Sequence, residues 1–326
     1  MSEPMNPPSR RDVLRLSAAT MSAVTLAALP VLDAFGAGSG FFARNKLPIG
    51  LQLYTVGDLA KKDLDGTLKR IADIGYDTIE LAGLHGHTVA ELRAAADNVG
   101  LKLVSMHVSA DQRPGELSLS GDLKALAASA HQLGVTDIVM PMFSTPSRLG
   151  SPATGEGFLA YLNRVVPQFT ADDWKRTAAQ LNGYGKALHK EGLNFGYHNH
   201  NPEFAPLSDG SNGFEILVRE TDPKVVSFEL DIGWAAAAGQ DAIQIMSQHK
   251  GRITQLHVKD IKASTKTNYT LQQDPTEVGS GTLDWPSLLS TAKTTKIKRF
   301  FVEQEPPFPG DRFDSIAKSY RYLRSL

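Results

Sequence analysis

The sequence of 326 residues contains no cysteine, which excludes disulfide bonds, thiolate metal sites and cysteine nucleophiles. It also lacks an excess of either charge. The 34 lysines and arginines against 35 aspartates and glutamates give a net charge of −1, and this balance gives no support for a nucleic-acid partner. Because cysteine is absent, any metal site must use histidine, carboxylate or backbone oxygen ligands. The length is sufficient for one large α/β domain with a full core.

Long apolar runs are scarce as well. The run near the N-terminus, Leu16–Leu32, is shorter than the roughly 20 residues that a membrane-spanning helix needs. Arg10 and Arg11 precede it and small residues follow it, an order typical of a twin-arginine export signal. We therefore predict a signal peptide at 1–37, a linker at 38–47 and recognition by the twin-arginine (Tat) export machinery. The mature protein would be periplasmic or otherwise exported, with no stable membrane insertion after cleavage.

From residue 48 onward, short β-type runs alternate with amphipathic stretches, which predicts a parallel sheet. The predicted strands are Ile49–Tyr54, Thr78–Leu81, Lys102–His107, Asp137–Pro141, Asn194–His198, Val226–Asp231, Ile253–Val258 and Arg299–Glu303. The predicted helices are Leu64–Ile74, Val89–Asn98, Leu123–Leu133, Asp172–His189, Ala242–His249 and Trp285–Lys293, with a last helix near Ser315–Leu326. Eight strand–helix repeats match a (β/α)₈ TIM barrel in number and length. We therefore predict a single α/β domain, a TIM barrel, over residues 48–326.

A doubly wound open sheet is the alternative fold. It needs a glycine-rich turn after its first strand to hold a nucleotide, and residues 54–58 do not form such a turn. Glycines stand between a helical stretch and the next strand at four junctions, where they allow a left-handed turn: Gly75, Gly100, Gly134 and Gly192. This repeated junction favours one regular barrel.

The carboxyl ends of the predicted strands are unusually polar, and the active site of a TIM barrel forms at these ends. The polar residues there are Glu80, His107, His198, His200, Asp231, His257, Lys259, Glu303 and Glu305. Alternate strand residues share a face, so His198 and His200 can point together into the barrel mouth. The Ser-, Pro- and Gly-rich stretch Met142–Thr170 would be a long loop on the same face, where such loops often act as lids.

Three of these residues are candidate ligands for one divalent cation. Asp231, His257 and Glu303 are predicted to lie at matching depths on three consecutive strands, which are about 4.8 Å apart. Mixed oxygen and nitrogen ligands suit Mn²⁺, Mg²⁺, Co²⁺ or Zn²⁺, and Mn²⁺ is our first expectation. A single strand-end carboxylate is more often a helix cap, as Asp260 or Asp284 can be. Burial of so many charges together would be costly without a shared ion or substrate.

Residues 277–285, the glycine loop, precede the predicted helix Trp285–Lys293 and contain Gly279 and Gly281. Their backbone amides can approach a ligand or phosphate, although a plain flexible loop has the same composition. We treat the glycine loop as a candidate substrate-contact loop.

Several motifs, taken in order, resemble the xylose isomerase-like TIM-barrel superfamily and, more narrowly, its exported sugar phosphate isomerase/epimerase group. They are Gly50–Thr55, Tyr197–His200, Glu229–Asp231, His257–Asp260, Val278–Trp285 and Val302–Glu305, and the resemblance covers about Ile49 to Leu326. In related ketose epimerases the metal is held by Glu, Asp, His and Glu from the fifth to eighth strands, and the two glutamates form the acid/base pair. Asp231, His257 and Glu303 match three of these ligands by position, whereas His198 stands in place of the fifth-strand glutamate.

The resemblance implies a metal-dependent isomerase or epimerase that abstracts a proton next to the carbonyl of a sugar or keto-sugar, through a metal-stabilised enediolate. Glu303 would be both ligand and general base, and His198 or His200 the fourth ligand or second acid/base. Lys259 would polarise a substrate oxygen. The residues expected to line the sugar pocket are Glu80, His107, Glu203, Trp234 and Glu305.

Two alternative functions stay open. The Tyr-His-x-His pattern at 197–200 is similar to that of inosose dehydratases in the same superfamily, which favours a lyase or dehydratase that acts on 3-keto-glycosides or inosose-like keto-sugars by elimination. A non-catalytic periplasmic carbohydrate-binding protein is the other. An endonuclease IV-type phosphodiesterase fits less well, because it needs more His and Glu ligands and a basic DNA-binding face. The expected partner is a small carbohydrate, with no nucleic acid, and the sequence is compatible with a homo-oligomer.

Overall fold

The computed structural model describes residues 40–326, so the predicted signal peptide lies outside the described residues. The barrel strands are β1 (Gly50–Gln52), β2 (Thr78–Ala82), β3 (Lys102–His107), β4 (Asp137–Met140), β5 (Asn194–His198), β6 (Ser227–Asp231), β7 (Ile253–Val258) and β10 (Arg299–Val302). They close a parallel barrel in the order β1-β10-β7-β6-β5-β4-β3-β2. Two further short strands, β8 (Asp260–Ile261) and β9 (Pro275–Thr276), pair antiparallel outside it. The predicted TIM barrel is therefore confirmed.

Helices alternate with the barrel strands, and six of them end within one residue of the predicted bounds. The helices are Phe41–Asn45, Gly57–Lys62, Leu64–Ile74, Val89–Val99, Leu123–Leu133, Phe158–Val165, Ala171–Lys190, Gly213–Glu220, Ile232–Ala237, Ala242–Gln248, Trp285–Thr294 and Arg312–Ser325. The predicted long loop Met142–Thr170 contains one of them, Phe158–Val165. Within residues 40–326, no helix combines the length and apolar character that a membrane crossing requires.

Glycine ends three helices where the sequence predicts a turn into the next strand. Gly75, Gly100 and Gly134 have φ values of 114°, 76° and 80° and stand directly after their helices. Only glycine adopts this left-handed conformation at little cost, so the chain reverses direction within a few residues. The repeated reversal brings the carboxyl ends of the strands to the same face of the barrel.

Alternation along the strands separates an apolar layer from a polar barrel interior. Leu51 and Ile79 are fully buried in the apolar core, which lies between the strands and the helices. Their strand neighbours Gln52 and Glu80 are also fully buried, and their side chains are joined by a hydrogen bond of 2.9 Å from Gln52 Nε2 to Glu80 Oε1. Buried polar groups of this kind require partners, which the interior supplies.

The strand register places the predicted metal ligands at two depths. Asp231 pairs with His257 between β6 and β7, but His257 pairs with Phe301 on β10. The prediction that Glu303 lies at the same depth is therefore wrong, because strands in a closed barrel are staggered along its axis. The Glu303 side chain nevertheless approaches His257, with 2.9 Å between Oε2 and Nδ1.

The glycine loop binds an internal carboxylate. The amides of Gly279 and Gly281 donate to Asp260 Oδ2 at 3.0 and 3.2 Å, and Trp285 Nε1 donates to the same oxygen at 2.8 Å. Asp260 is thus no helix cap, whereas Asp284 caps the following helix. The loop also contributes no residue to the main cavity at the strand ends. Its expected role in substrate contact is therefore replaced by a structural one.

We expect Gly281→Ala to lower the free energy of unfolding by about 1–3 kcal/mol, because an added β-carbon would overlap Asp260 Oδ1. Gly183, in the helix Ala171–Lys190, has open space around it. Gly183→Ala should instead raise the free energy of unfolding by about 0.5–1 kcal/mol. Urea unfolding of both variants checks the pair, and a Gly281→Ala protein as stable as the parent would contradict the steric argument.

Candidate active site

A cavity of about 760 Å³ opens at the carboxyl ends of the strands. Its wall includes six of the predicted site residues: His107, His198, His200, Trp234, Glu303 and Glu305. Three others, Asp231, His257 and Lys259, are buried at its base. The fold therefore brings residues from β3, β5, β6, β7 and β10 to one place, as expected for strand ends in a TIM barrel.

The first group of contacts surrounds Lys259. Its Nζ lies 3.1 Å from Asp231 Oδ2, 2.7 Å from Glu303 Oε2 and 2.8 Å from Glu305 Oε1. His257 Nδ1 lies 3.6 Å from Asp231 Oδ2. Lys259 thus holds three acids in place, and Nζ also lies 5.1 Å from the centroid of the Trp234 ring.

The second group of contacts surrounds Glu229, which was predicted as part of the motif Glu229–Asp231 but not as a residue of the site. Its Oε2 lies 2.8 Å from His107 Nε2, 3.0 Å from His198 Nδ1 and 3.1 Å from His257 Nε2. Glu229 precedes Asp231 by two residues on the same strand, so the alternation rule could have found it.

Two predicted pocket residues do not line the cavity. Glu80 is fully buried and its Oε1 lies 2.7 Å from His257 Nε2, so it orients that imidazole from below. Glu203 accepts hydrogen bonds from the Tyr197 hydroxyl at 2.6 Å and from the His200 amide at 3.1 Å. Burial raises the pKa of Glu203 to about 8, and its contacts fix the turn after β5.

Mutual compensation between buried charges governs the ionisation of the site. Burial disfavours the charged form of Glu303, but the Lys259 ammonium and His257 outweigh it and hold its pKa below the ordinary value. Burial likewise opposes the charge on His107, yet Glu80 and Glu229 raise its pKa to about 9.

The imidazoles on β5 and just beyond it behave differently. Burial, together with nearby cationic groups, lowers the pKa of His198 well below its ordinary value. Burial and the Lys259 charge lower the pKa of His200 to about 3. Both rings are therefore neutral near pH 7, the form in which imidazole binds a metal.

The donor set fits a divalent cation. Asp231, His257 and Glu303 offer ligand atoms within 4.8 Å of one another, and His107, His198, Glu229 and His257 do the same. Glu229 Oε1 is buried without a hydrogen-bond partner, which is unfavourable unless another group satisfies it. Asp231 Oδ2 has the Lys259 ammonium at 3.1 Å as its charged neighbour. His198 Nε2 lies 3.8 Å from Asp231 Oδ2, so the predicted fourth ligand adjoins the first set.

Comparison with known proteins gives one family and several similar proteins. A sequence model of the family described as "Xylose isomerase-like TIM barrel" matches residues 68–326. The inosose dehydratase of Geobacillus thermodenitrificans is 23% identical over 304 residues, which cover 87% of this chain and 98% of that relative.

Two solved structures share the fold. A sugar phosphate isomerase/epimerase from Parabacteroides distasonis superposes with a TM-score of 0.67 at 23% identity, covering 91% of this chain and 98% of the other. The IolI protein, whose structure is described with a zinc atom, superposes with a TM-score of 0.61 at 16% identity over 85% and 96% of the two chains. At such identities the two structures establish similarity of fold alone.

Proposed function

The chain belongs to the xylose isomerase-like TIM barrel family, and we propose that it is a metal-dependent dehydratase of a cyclic keto-sugar. The proposal rests on a chemical difference between two sides of the cavity wall. Carboxylates, Glu303 and Glu305, stand at the end of β10, whereas imidazoles, His198 and His200, stand at the end of β5. β6 and β7 separate the two groups around the barrel.

This difference between carboxylates on one side and imidazoles on the other suits elimination better than epimerisation. Epimerisation by a symmetric pair uses two carboxylates to exchange a proton with carbon from opposite faces. In the proposed reaction Glu303 takes the proton from the carbon next to the carbonyl. The freed electron pair forms the carbon–carbon double bond while the bond to the β-hydroxyl breaks, and the hydroxide leaves as water with the proton that Glu303 took from carbon. His198 and His200 would hydrogen-bond the departing oxygen.

A divalent cation bound by Asp231, His257 and Glu303 would supply Lewis-acid stabilisation of the charge that develops on the carbonyl oxygen. Lys259 keeps Glu303 in position through its contact of 2.7 Å. Glu80 orients His257 from below. We propose Mn²⁺ as the ion, since oxygen and nitrogen ligands suit it, with Zn²⁺ as the rival because the similar IolI structure contains zinc.

The relative in sequence supports the same reaction class. It is named an inosose dehydratase and matches this chain over 98% of its own length. An inosose is a cyclic polyhydroxy ketone, so the name describes loss of water from a keto-sugar-like ring.

Isomerisation or epimerisation of the same keto-sugar is the second candidate, because it shares the proton-abstraction step. Glu305 favours it, since this residue gives the cavity a second carboxylate beside Glu303. Return of the proton to carbon, in place of loss of the hydroxyl, would then complete the reaction.

The test is to load purified protein with Mn²⁺, add inososes and 3-keto-glucose in D₂O, and follow the products by NMR. An unsaturated ketone formed with loss of water supports the dehydratase. Deuterium on carbon with an unchanged skeleton overturns it in favour of the isomerase. Binding without either product overturns both and indicates a carbohydrate-binding protein. Protein carrying Glu303→Gln serves as the control for contaminating activity.

A further inference from the structure

Large exposed apolar side chains are concentrated at one place in residues 40–326. They are Tyr54, Phe158 and Leu159, with 56%, 55% and 49% of their surface exposed, and all three line the cavity of the candidate active site. We call them the apolar rim. Because exposed apolar patches mark binding sites, their coincidence with this cavity associates them with its ligand.

The fold does not use the apolar rim for packing. The helix Phe158–Val165 buries Tyr161, Leu162 and Val165, while Phe158 and Leu159 in its first turn remain exposed. An amphipathic helix normally places polar residues at its exposed positions. The two apolar residues therefore serve something other than helix docking.

Tyr54 shows the same departure in a separate segment. It lies in the turn that follows β1, where Leu53, Thr55 and Val56 are all buried. Only Tyr54 of these four residues projects from the turn. Two segments distant in sequence thus contribute to one apolar surface.

Resting on the proposed function, we propose that the substrate is a keto-sugar that carries an apolar aglycone, such as an aryl group. The aglycone packs on the apolar rim while the sugar ring reaches the polar wall around His198 and Glu303. The cavity of about 760 Å³ lies in the range that encloses a drug-sized ligand, and a monosaccharide alone would leave much of it filled with water. The cavity has exposed apolar side chains at its outer part and charged side chains at its inner part. This arrangement matches a substrate with one apolar end and one polar end.

The test measures binding without turnover, by calorimetry of the Mn²⁺-loaded protein with phenyl and methyl β-D-glucopyranoside. Burial of the phenyl ring should make the phenyl glucoside bind about tenfold more tightly. The double variant Phe158→Ser/Leu159→Ser should reduce this ratio to about one. Asn163→Ser, an exposed position on the same helix, is the matched control and should preserve the ratio. Tyr54→Ser provides a second variant in case the double variant does not fold.

Equal affinities for the two glucosides in the parent protein would overturn the inference. So would an unchanged ratio in folded double-variant and Tyr54→Ser proteins. A change of molecular mass in the rim variants, measured by light scattering without loss of the phenyl preference, would assign the apolar rim to contact between copies and also overturn it. Tighter binding of the phenyl glucoside without any dehydration product would contradict the proposed reaction and leave the aglycone inference standing. Dehydration without tighter binding of the phenyl glucoside would contradict the aglycone inference and leave the proposed reaction standing.

Discussion

Glu303→Gln should lower kcat/KM for the keto-sugar by about 10³-fold, within the range expected when a positioned general base is lost. Glutamine keeps the size of the side chain but cannot accept the proton from carbon. It also weakens two contacts of Oε2, with Lys259 Nζ at 2.7 Å and His257 Nδ1 at 2.9 Å. Steady-state kinetics on Mn²⁺-loaded protein measure the effect.

Glu220→Gln is the matched control, because Glu220 is an exposed carboxylate at the end of the helix Gly213–Glu220. It should leave kcat/KM within about a factor of two, as surface substitutions usually do little. Metal content, measured by elemental analysis, separates the role of Glu303 as a metal ligand from its role as the general base. If the variant loses activity but keeps its full metal content, Glu303 acts as the base and is not needed to hold the metal. Activity of the Glu303→Gln protein within about threefold of the parent would remove Glu303 from the mechanism.

Metal removal has the second large expected effect. A chelator should reduce activity to below about 1%, since metal ions supply several kcal/mol of transition-state stabilisation, and Mn²⁺ should restore it. Because the cation binds the folded protein alone, Mn²⁺ at a hundred times its Kd should raise the free energy of unfolding by about 2.7 kcal/mol. Buried Asp231 Oδ2, which lies 3.1 Å from Lys259 Nζ, would gain the cation as a second positively charged neighbour.

Asp231→Asn should abolish most of this Mn²⁺-dependent gain in stability, because the amide removes the charge of a central ligand. Asp284→Asn is the matched control, since Asp284 caps the helix Trp285–Thr294 and asparagine caps equally well. Urea unfolding with and without Mn²⁺ gives both values. The same gain in the Asp231→Asn protein as in the parent would show that the ion binds elsewhere.

The local signals in the sequence were sufficient for the strands and for most of the site. The bounds of β3, β5 and β7 agree with the prediction, because each is a short β-type run that begins two residues after a glycine: Gly100, Gly192 or Gly251. Strand alternation also correctly brought His198 and His200 to one cavity. These features depend on residues close together in the sequence, so the periodicity of the sequence is sufficient to predict them.

Features that depend on the closed barrel were not predictable from local patterns. The depth of Glu303 follows from strand stagger, which no single segment encodes. The partner of the glycine loop is Asp260, about twenty positions earlier in sequence, and charge alone could not distinguish it from an external anion. Glu80 lies on β2, on the opposite side of β1 from β10, and its Oε1 lies 2.7 Å from His257 Nε2. The two residues are 177 positions apart in the sequence.

The internal pairing of the glycine loop bears on which sugars the barrel admits. TIM barrels frequently bind phosphate through the loops after the seventh and eighth strands. Here the loop amides are already saturated by Asp260. A phosphate ester, with a charge of about −1.5 to −2, would therefore find no vacant amide cradle in this loop. We therefore expect discrimination against phosphorylated sugars and acceptance of uncharged ones.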